Sequence, residues 1–206
     1  MVGNALAGYR IARKQAWQWR SELSWVKKLG LSLGMACLIG LLAQARIPLP
    51  WTPVPITGQT FGVLLAAVIL GQGWSGVSIA IYIGLGVAGV PWFNGFTGGF
   101  QALAGPTGGY LIGFMLAALF LGYFLSKFTK TRNYWALLGL MLFADFVLIF
   151  GPGLLQLNLW LNLVNHNAVN IGQLLSLGLL PFIIGDIIKV IAAAAAGSAL
   201  LPKEKD

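Results

Sequence analysis

Only three side chains within the apolar stretches of this 206-residue sequence are clearly ionisable: Asp145, Asp186 and Lys189. At the centre of a membrane helix each costs roughly 2.5–3.5 kcal/mol to insert, so each needs a partner or a polar cavity. Asp186 and Lys189 are three residues apart, which sets them on one face of a helix. Such a pair either neutralises itself or serves a ligand, and intramembrane charges are seldom present without a role. Asp145 has no neighbour in sequence to pair with and fits either reading.

Other chemistries find too few residues. The sequence has one histidine, His166, in a loop, and one cysteine, Cys37, inside an apolar stretch. These two residues cannot make a metal site, no nucleophile is paired with a base inside the membrane, and an internal disulfide is excluded. Cys37 is expected as a packed thiol. Gly105-Pro106-Thr107-Gly108-Gly109 is glycine-rich but lacks the Gly-Lys-Ser/Thr ending of a nucleotide loop. No catalytic residue, metal or cofactor is expected, and the chain does not read as an enzyme. Any energised work must draw on a partner or an ion gradient.

The elements that carry these residues follow from composition. Charged residues make up 9% of the chain, apolar types 58%, and the mean hydropathy is +0.82; soluble domains run near a quarter charged. Apolar segments at about 29–47, 56–70, 74–90, 107–128, 135–157 and 171–201 predict an all-α integral membrane protein, a bundle of six transmembrane helices. Residues 1–28 form a basic extension, 29–201 the membrane domain and 202–206 a tail. Ala12, Ala16, Trp19, Leu23 and Val26 recur at helical spacing, with Arg13, Arg20 and Lys27 on another face. That pattern predicts an interfacial helix with its apolar side down, the alternative being a partly disordered basic tail. A retained first span fits better than a signal cleaved after Ala43-Gln44-Ala45.

The net charge of +8 is concentrated in three clusters: Arg10 to Lys28, Lys127 to Arg132, and Lys203 with Lys205. Six spans put all three on one side, so both termini are expected in the cytoplasm, with basic contacts to anionic lipid rather than nucleic acid. A prokaryotic plasma membrane is the expected location. Three irregular connections then share the outer face: the proline-rich 48–57, the glycine-rich 91–106 and the asparagine-rich 158–170. Irregular backbone at membrane depth must be buried in protein or line a cavity, which predicts an outward-opening pocket. Ser32, Ala36 and Gly40, and Gly105, Gly109 and Gly113, are spaced for close helix approach, within the bundle or against another membrane subunit.

Several stretches resemble one known family. Ile47-Pro48-Leu49-Pro50, Pro53-Val54-Pro55-Ile56-Thr57-Gly58-Gln59-Thr60, Gly105 through Phe114, and Pro181-Phe182 with Gly185-Asp186-Ile187-Ile188-Lys189 are similar, in that order, to the BioY family. These are the biotin-capturing S components of energy-coupling-factor (ECF) transporters. The resemblance covers roughly residues 29–201. It implies biotin capture at the outer face, and uptake driven by a transmembrane coupling subunit with cytoplasmic ATPases. It also implies that Asp186 and Lys189 belong to the binding site, with Asn94 a companion and Gln59 and Tyr110 lying in matched motifs. Biotin offers two ureido N–H donors, a carbonyl, an apolar bicycle and a carboxylate. An aspartate accepts the N–H groups, amides or cations meet the oxygens, and Trp92, Phe93, Phe96 and Phe100 are candidates to cover the apolar body. Arg46 either attracts the ligand carboxylate or anchors the first span at the interface.

Overall fold

Apolar segments that cannot leave backbone groups unpaired in lipid must become helices, and a computed structural model of the chain shows how they pack. It describes residues 2–164 and 169–203, so His166 lies outside the described residues. The helices are α1 (Val2–Glu22), α2 (Trp25–Gln44), α3 (Gln59–Leu70), α4 (Trp74–Val87), α5 (Phe100–Ala104) and α6 (Gly108–Lys127), followed by α7 (Tyr134–Phe143), α8 (Phe150–Val164), α9 (Ile171–Gly178) and α10 (Ile183–Leu200). Four stretches are long and apolar enough to cross a membrane: α2, α6, Tyr134–Leu163 and α10; α3 and α4 are shorter. The fold is that of a helical, multi-pass membrane protein. α6 lies centrally, packed on α3, α4 and α8, while α10 packs on α3 and α7.

Three elements depart from the sequence expectation. The proline-rich connection is framed by a two-residue antiparallel ribbon, β1 (Arg46–Ile47) against β2 (Ile56–Thr57), with Arg46 opposite Thr57. The fifth segment carries a π-helical stretch, Ala144–Ile149, between α7 and α8. The sixth segment is two helices rather than one. Pro181 cannot extend an α-helix from the preceding turn, so α9 ends at Gly178 and α10 restarts at Ile183.

The small-residue series are spent inside the bundle. Ser32 and Ala36 are fully buried, Ser32 Oγ donates to the Trp74 carbonyl at 3.3 Å, and a β-carbon on Gly40 would stand 3.1 Å from Trp92 Cβ. This face of α2 therefore meets α4 and Trp92, not another subunit. Cys37, beside that face, is exposed, so it is not the packed thiol the sequence pointed to.

α1 lays its cationic side on the bundle. Arg13 and Leu23 are buried and Trp17 packs on the core, whereas Trp19 is 60% exposed and Ala12 and Ala16 face outward. The reason lies in what the bundle end presents. Helix C-termini leave carbonyls without intrahelical partners and carry the negative end of the helix dipole. Arg13 donates to the Ser198 carbonyl, Arg20 to Ile69, and Arg132 to Leu125, Ser126 and Pro202. A cationic face answers those acceptors; an apolar one would leave them unmet.

These bonds gather α1, the 129–132 turn and the C-terminal end of α10 at one end of the bundle, which the charge bias assigns to the cytoplasm. In a Cys37→Ala background, a membrane-impermeant maleimide should therefore label Trp51→Cys from outside cells and leave Lys130→Cys unmodified; both positions are exposed. External labelling at 130 would overturn the topology.

Candidate functional site

At the other end, a cavity opens among the start of α3, the 92–97 loop, the start of α6, the π stretch with α8, and the first turns of α10. Its lining includes Val54, Thr57, Gln59, Thr60, Phe93, Asn94, Thr107, Tyr110, Phe114, Phe150, Phe182, Asp186 and Lys189. Five of the six residues singled out for ligand binding thus meet here: Asp186, Lys189, Asn94, Gln59 and Tyr110. The sixth, Trp92, does not line it. Its Nε1 donates to the Tyr82 carbonyl at 2.9 Å and its ring packs on Tyr82, so it braces the loop from behind. Phe93 takes the lining role, 2% exposed and seated over Gly86. Phe96 and Phe100 are 73% and 68% exposed and lie away from the cavity, as does Arg46.

The break before α10 is what delivers the charged pair. Asp186 and Lys189 fall in the first two turns after it, and Lys189 Nζ lies 2.6 Å from Asp186 Oδ1. The Asp186 side chain is 4% exposed and that of Lys189 18%, so the cation reaches into the open space while the carboxylate sits behind it. An acidic residue near a helix N-terminus is also favoured by the dipole. Asp145, on the π stretch, is fully buried and neither of its oxygens accepts a hydrogen bond among the described residues. It stands within electrostatic reach of both members of the pair. π-helical turns inside α-helices recur at functional sites, and here one points a carboxylate inward.

The remaining lining is held by bonds of its own. Gln59 Nε2 donates to the Tyr82 hydroxyl at 2.7 Å, and the Tyr110 hydroxyl donates to the Gly178 carbonyl at 2.8 Å, tying α6 to the end of α9. Thr52 Oγ1 donates to the Leu177 carbonyl at 2.7 Å, fastening the proline-rich loop to the same helix. Gln44 is the residue that sequence reasoning missed. Its Nε2 donates to the carbonyls of Gly40, Trp92 and Phe93, and its Oε1 accepts from the Phe96 N–H. One amide thus fixes the loop that carries Phe93 and Asn94. A polar residue in the last turn of an apolar helix, facing a glycine-rich loop, was the available signal.

The arrangement offers a buried carboxylate, a cation and side-chain amides around an aromatic lining. It has no nucleophile–base pair, and among the described residues no cluster of metal ligands. It is equipped to hold a small polar–apolar molecule, not to transform one.

Comparison with known proteins agrees. The chain is 49% identical over 140 residues to the probable biotin transporter BioY of Methanothermobacter thermautotrophicus, covering 68% of this chain and 89% of that protein. It is 37% identical over 154 residues to the biotin transporter BioY of Thermotoga maritima, covering 75% and 85%. Among solved structures, the crystal structure of the S-component for biotin from an ECF-type ABC transporter aligns with a TM-score of 0.75 and 29% identity, covering 86% of this chain and 94% of that one. The model of the BioY family matches residues 13–205, and the chain belongs to that family.

Proposed function

We propose that this protein is the substrate-capture component of an ECF-type transporter, binding biotin in the cavity around Asp186 and Lys189. The observation that carries the reading is the buried ion pair at the start of α10, facing an aromatic-lined space at the end of the bundle away from the basic clusters. The chemistry is complementary. The Asp186 carboxylate accepts ureido N–H donors, Lys189 and the amide of Asn94 meet ligand oxygens, and Phe93, Phe114, Phe150 and Phe182 cover the bicycle. Gln59 and Tyr110 shape the wall, their polar atoms largely engaged by Tyr82 and Gly178.

The chain is a transporter component rather than an enzyme. A transmembrane coupling subunit and cytoplasmic ATPases supply the energy, in keeping with a sequence that has no nucleotide loop. The coupling subunit does not dock on Ser32, Ala36 and Gly40, which are occupied by α4 and Trp92. Isothermal calorimetry on the detergent-purified chain should show one biotin per chain, with no ATP hydrolysis until the coupling subunit and ATPases are added. Absence of biotin binding by folded protein would sink the assignment.

A further inference from the structure

At the basic end of the bundle lies a second cavity that the capture function does not use. It sits between α1, α2, the α3–α4 turn and the end of α6, and is lined by Arg20, Lys28, Leu31, Leu70, Trp74 and Ser126. Its two cations are underused. Among the described residues Arg20 donates one hydrogen bond, to the Ile69 carbonyl at 3.2 Å, and Lys28 donates one, to the Ser21 carbonyl at 2.9 Å. Among the described residues neither has a carboxylate partner; the ion pair at the other end of the bundle is Lys189 with Asp186. Guanidinium and ammonium groups carry more donors than these bonds consume.

The surroundings concentrate positive charge further. The Arg20 guanidinium lies 3.6 Å from the centre of the Trp17 ring and the Arg132 guanidinium 4.1 Å from the same ring. Burial, and then the neighbouring Arg132, lower the Arg20 pKa to about 10. The fold makes room for this arrangement. Gly71 has φ +72°, and a β-carbon there would stand 2.9 Å from Arg20 Nη1 and 3.0 Å from Ser126 Oγ. An anion between Arg20, Lys28 and Ser126 would relieve the repulsion and use the spare donors.

We propose that this cavity binds the phosphate group of an anionic membrane phospholipid. A lipid is favoured over a free anion by the walls. Leu31, Leu70 and Trp74 are apolar, and Trp74 packs edge-to-face, at 6.3 Å between ring centres, on Trp25, which is 65% exposed. Tryptophan at this level belongs to the membrane interface, where a headgroup phosphate sits beside its own acyl chains. Juxtamembrane cations near an anionic leaflet each contribute about 1 kcal/mol, or about fivefold in affinity.

Native mass spectrometry of the full chain can decide. The protein is released from detergent micelles containing dioleoyl phosphatidylglycerol or dioleoyl phosphatidylcholine, with and without inorganic phosphate. The parent should retain phosphatidylglycerol in preference to phosphatidylcholine, and millimolar phosphate should not displace it. Arg20→Gln and Lys28→Gln should each lower retention about fivefold. Arg20→Lys should keep most of it, and Lys127→Gln with Lys130→Gln, at the same end but outside the cavity, should match the parent. Thermal unfolding checks that each variant folds, and Lys28→Gln stands alone if loss of the Arg20 bond loosens α1. Equal retention of the two lipids, or retention unchanged in both glutamine variants, overturns the proposal. Binding of inorganic phosphate without lipid retention overturns the lipid assignment in favour of a free anion. Retention of neither reserves the cavity for a protein partner and overturns the proposal as well.

Discussion

Asp186→Asn should weaken biotin binding by one to two decades, and Lys189→Met should do so comparably. The asparagine keeps the size of the side chain but replaces one acceptor with a donor, so a ureido N–H meets another N–H. Losing a charge-assisted bond in a dry site costs on the order of 1.5–3 kcal/mol, which is roughly one to two decades of affinity. Lys189→Met removes the counter-charge of the buried Asp186 carboxylate, and so withdraws the ionised acceptor by a different route. Because the two act as one unit, the double variant should lose less than the sum of the single losses. Calorimetry on variants whose thermal unfolding matches the parent would measure all three. If both single variants bind like the parent, Asp186 and Lys189 are a structural pair and the site lies elsewhere.

A large stability effect should come from Gly113. A β-carbon there would stand 2.6 Å from the Ile149 Cα and 2.7 Å from the Leu148 carbonyl oxygen, and one on Gly109 would stand 2.2 Å from the Pro152 carbonyl oxygen. The obstacles are backbone atoms of the π stretch and α8, which cannot move aside as a side chain tip can. Overpacking of this kind costs about 1–3 kcal/mol or more for one methyl group, and each kcal/mol shifts the melting temperature of a chain this size by about 2–4 °C. Gly113→Ala should therefore unfold several degrees earlier, and Gly113→Leu should not accumulate as folded protein. Biotin affinity should fall with it, since Ile149 and Phe150 line the cavity. Gly139→Ala, with open space around the new carbon, should be neutral or slightly stabilising, because alanine is the better helix former. A Gly113→Ala protein as stable as the parent would show that the α6–α8 contact has slack.

Much of this was legible in the sequence because the governing terms are strong and local. Lipid forces unpaired backbone into helices, so the six apolar segments and their approximate ends could be read directly. The Asp186–Lys189 spacing put both on one helical face wherever the helix began. What was not legible depends on contacts between elements. Which face of α1 meets the bundle is decided by the free carbonyls of helices distant in sequence, which its periodicity does not show. Trp92 and Phe93 are adjacent aromatics, and only the path of the loop settles which one lines the cavity. The π stretch at Ala144–Ile149 leaves no compositional trace, so the depth of Asp145 was unreadable.

The docking of α1 also sets an order of events during synthesis. The Tyr9 hydroxyl donates to the Ala199 carbonyl and Arg13 to Ser198, across separations of 190 and 185 residues. At about 5–20 residues per second, the acceptors are made roughly 10–40 s after their donors. α1 must wait while the spans behind it are inserted. In that interval Arg13 lacks the Ser198 carbonyl that later receives it, and the outward side bearing Ile11 and Trp19 is the face suited to rest on the membrane. A helix made before the spans α2 to α10 is thus among the last to take its place.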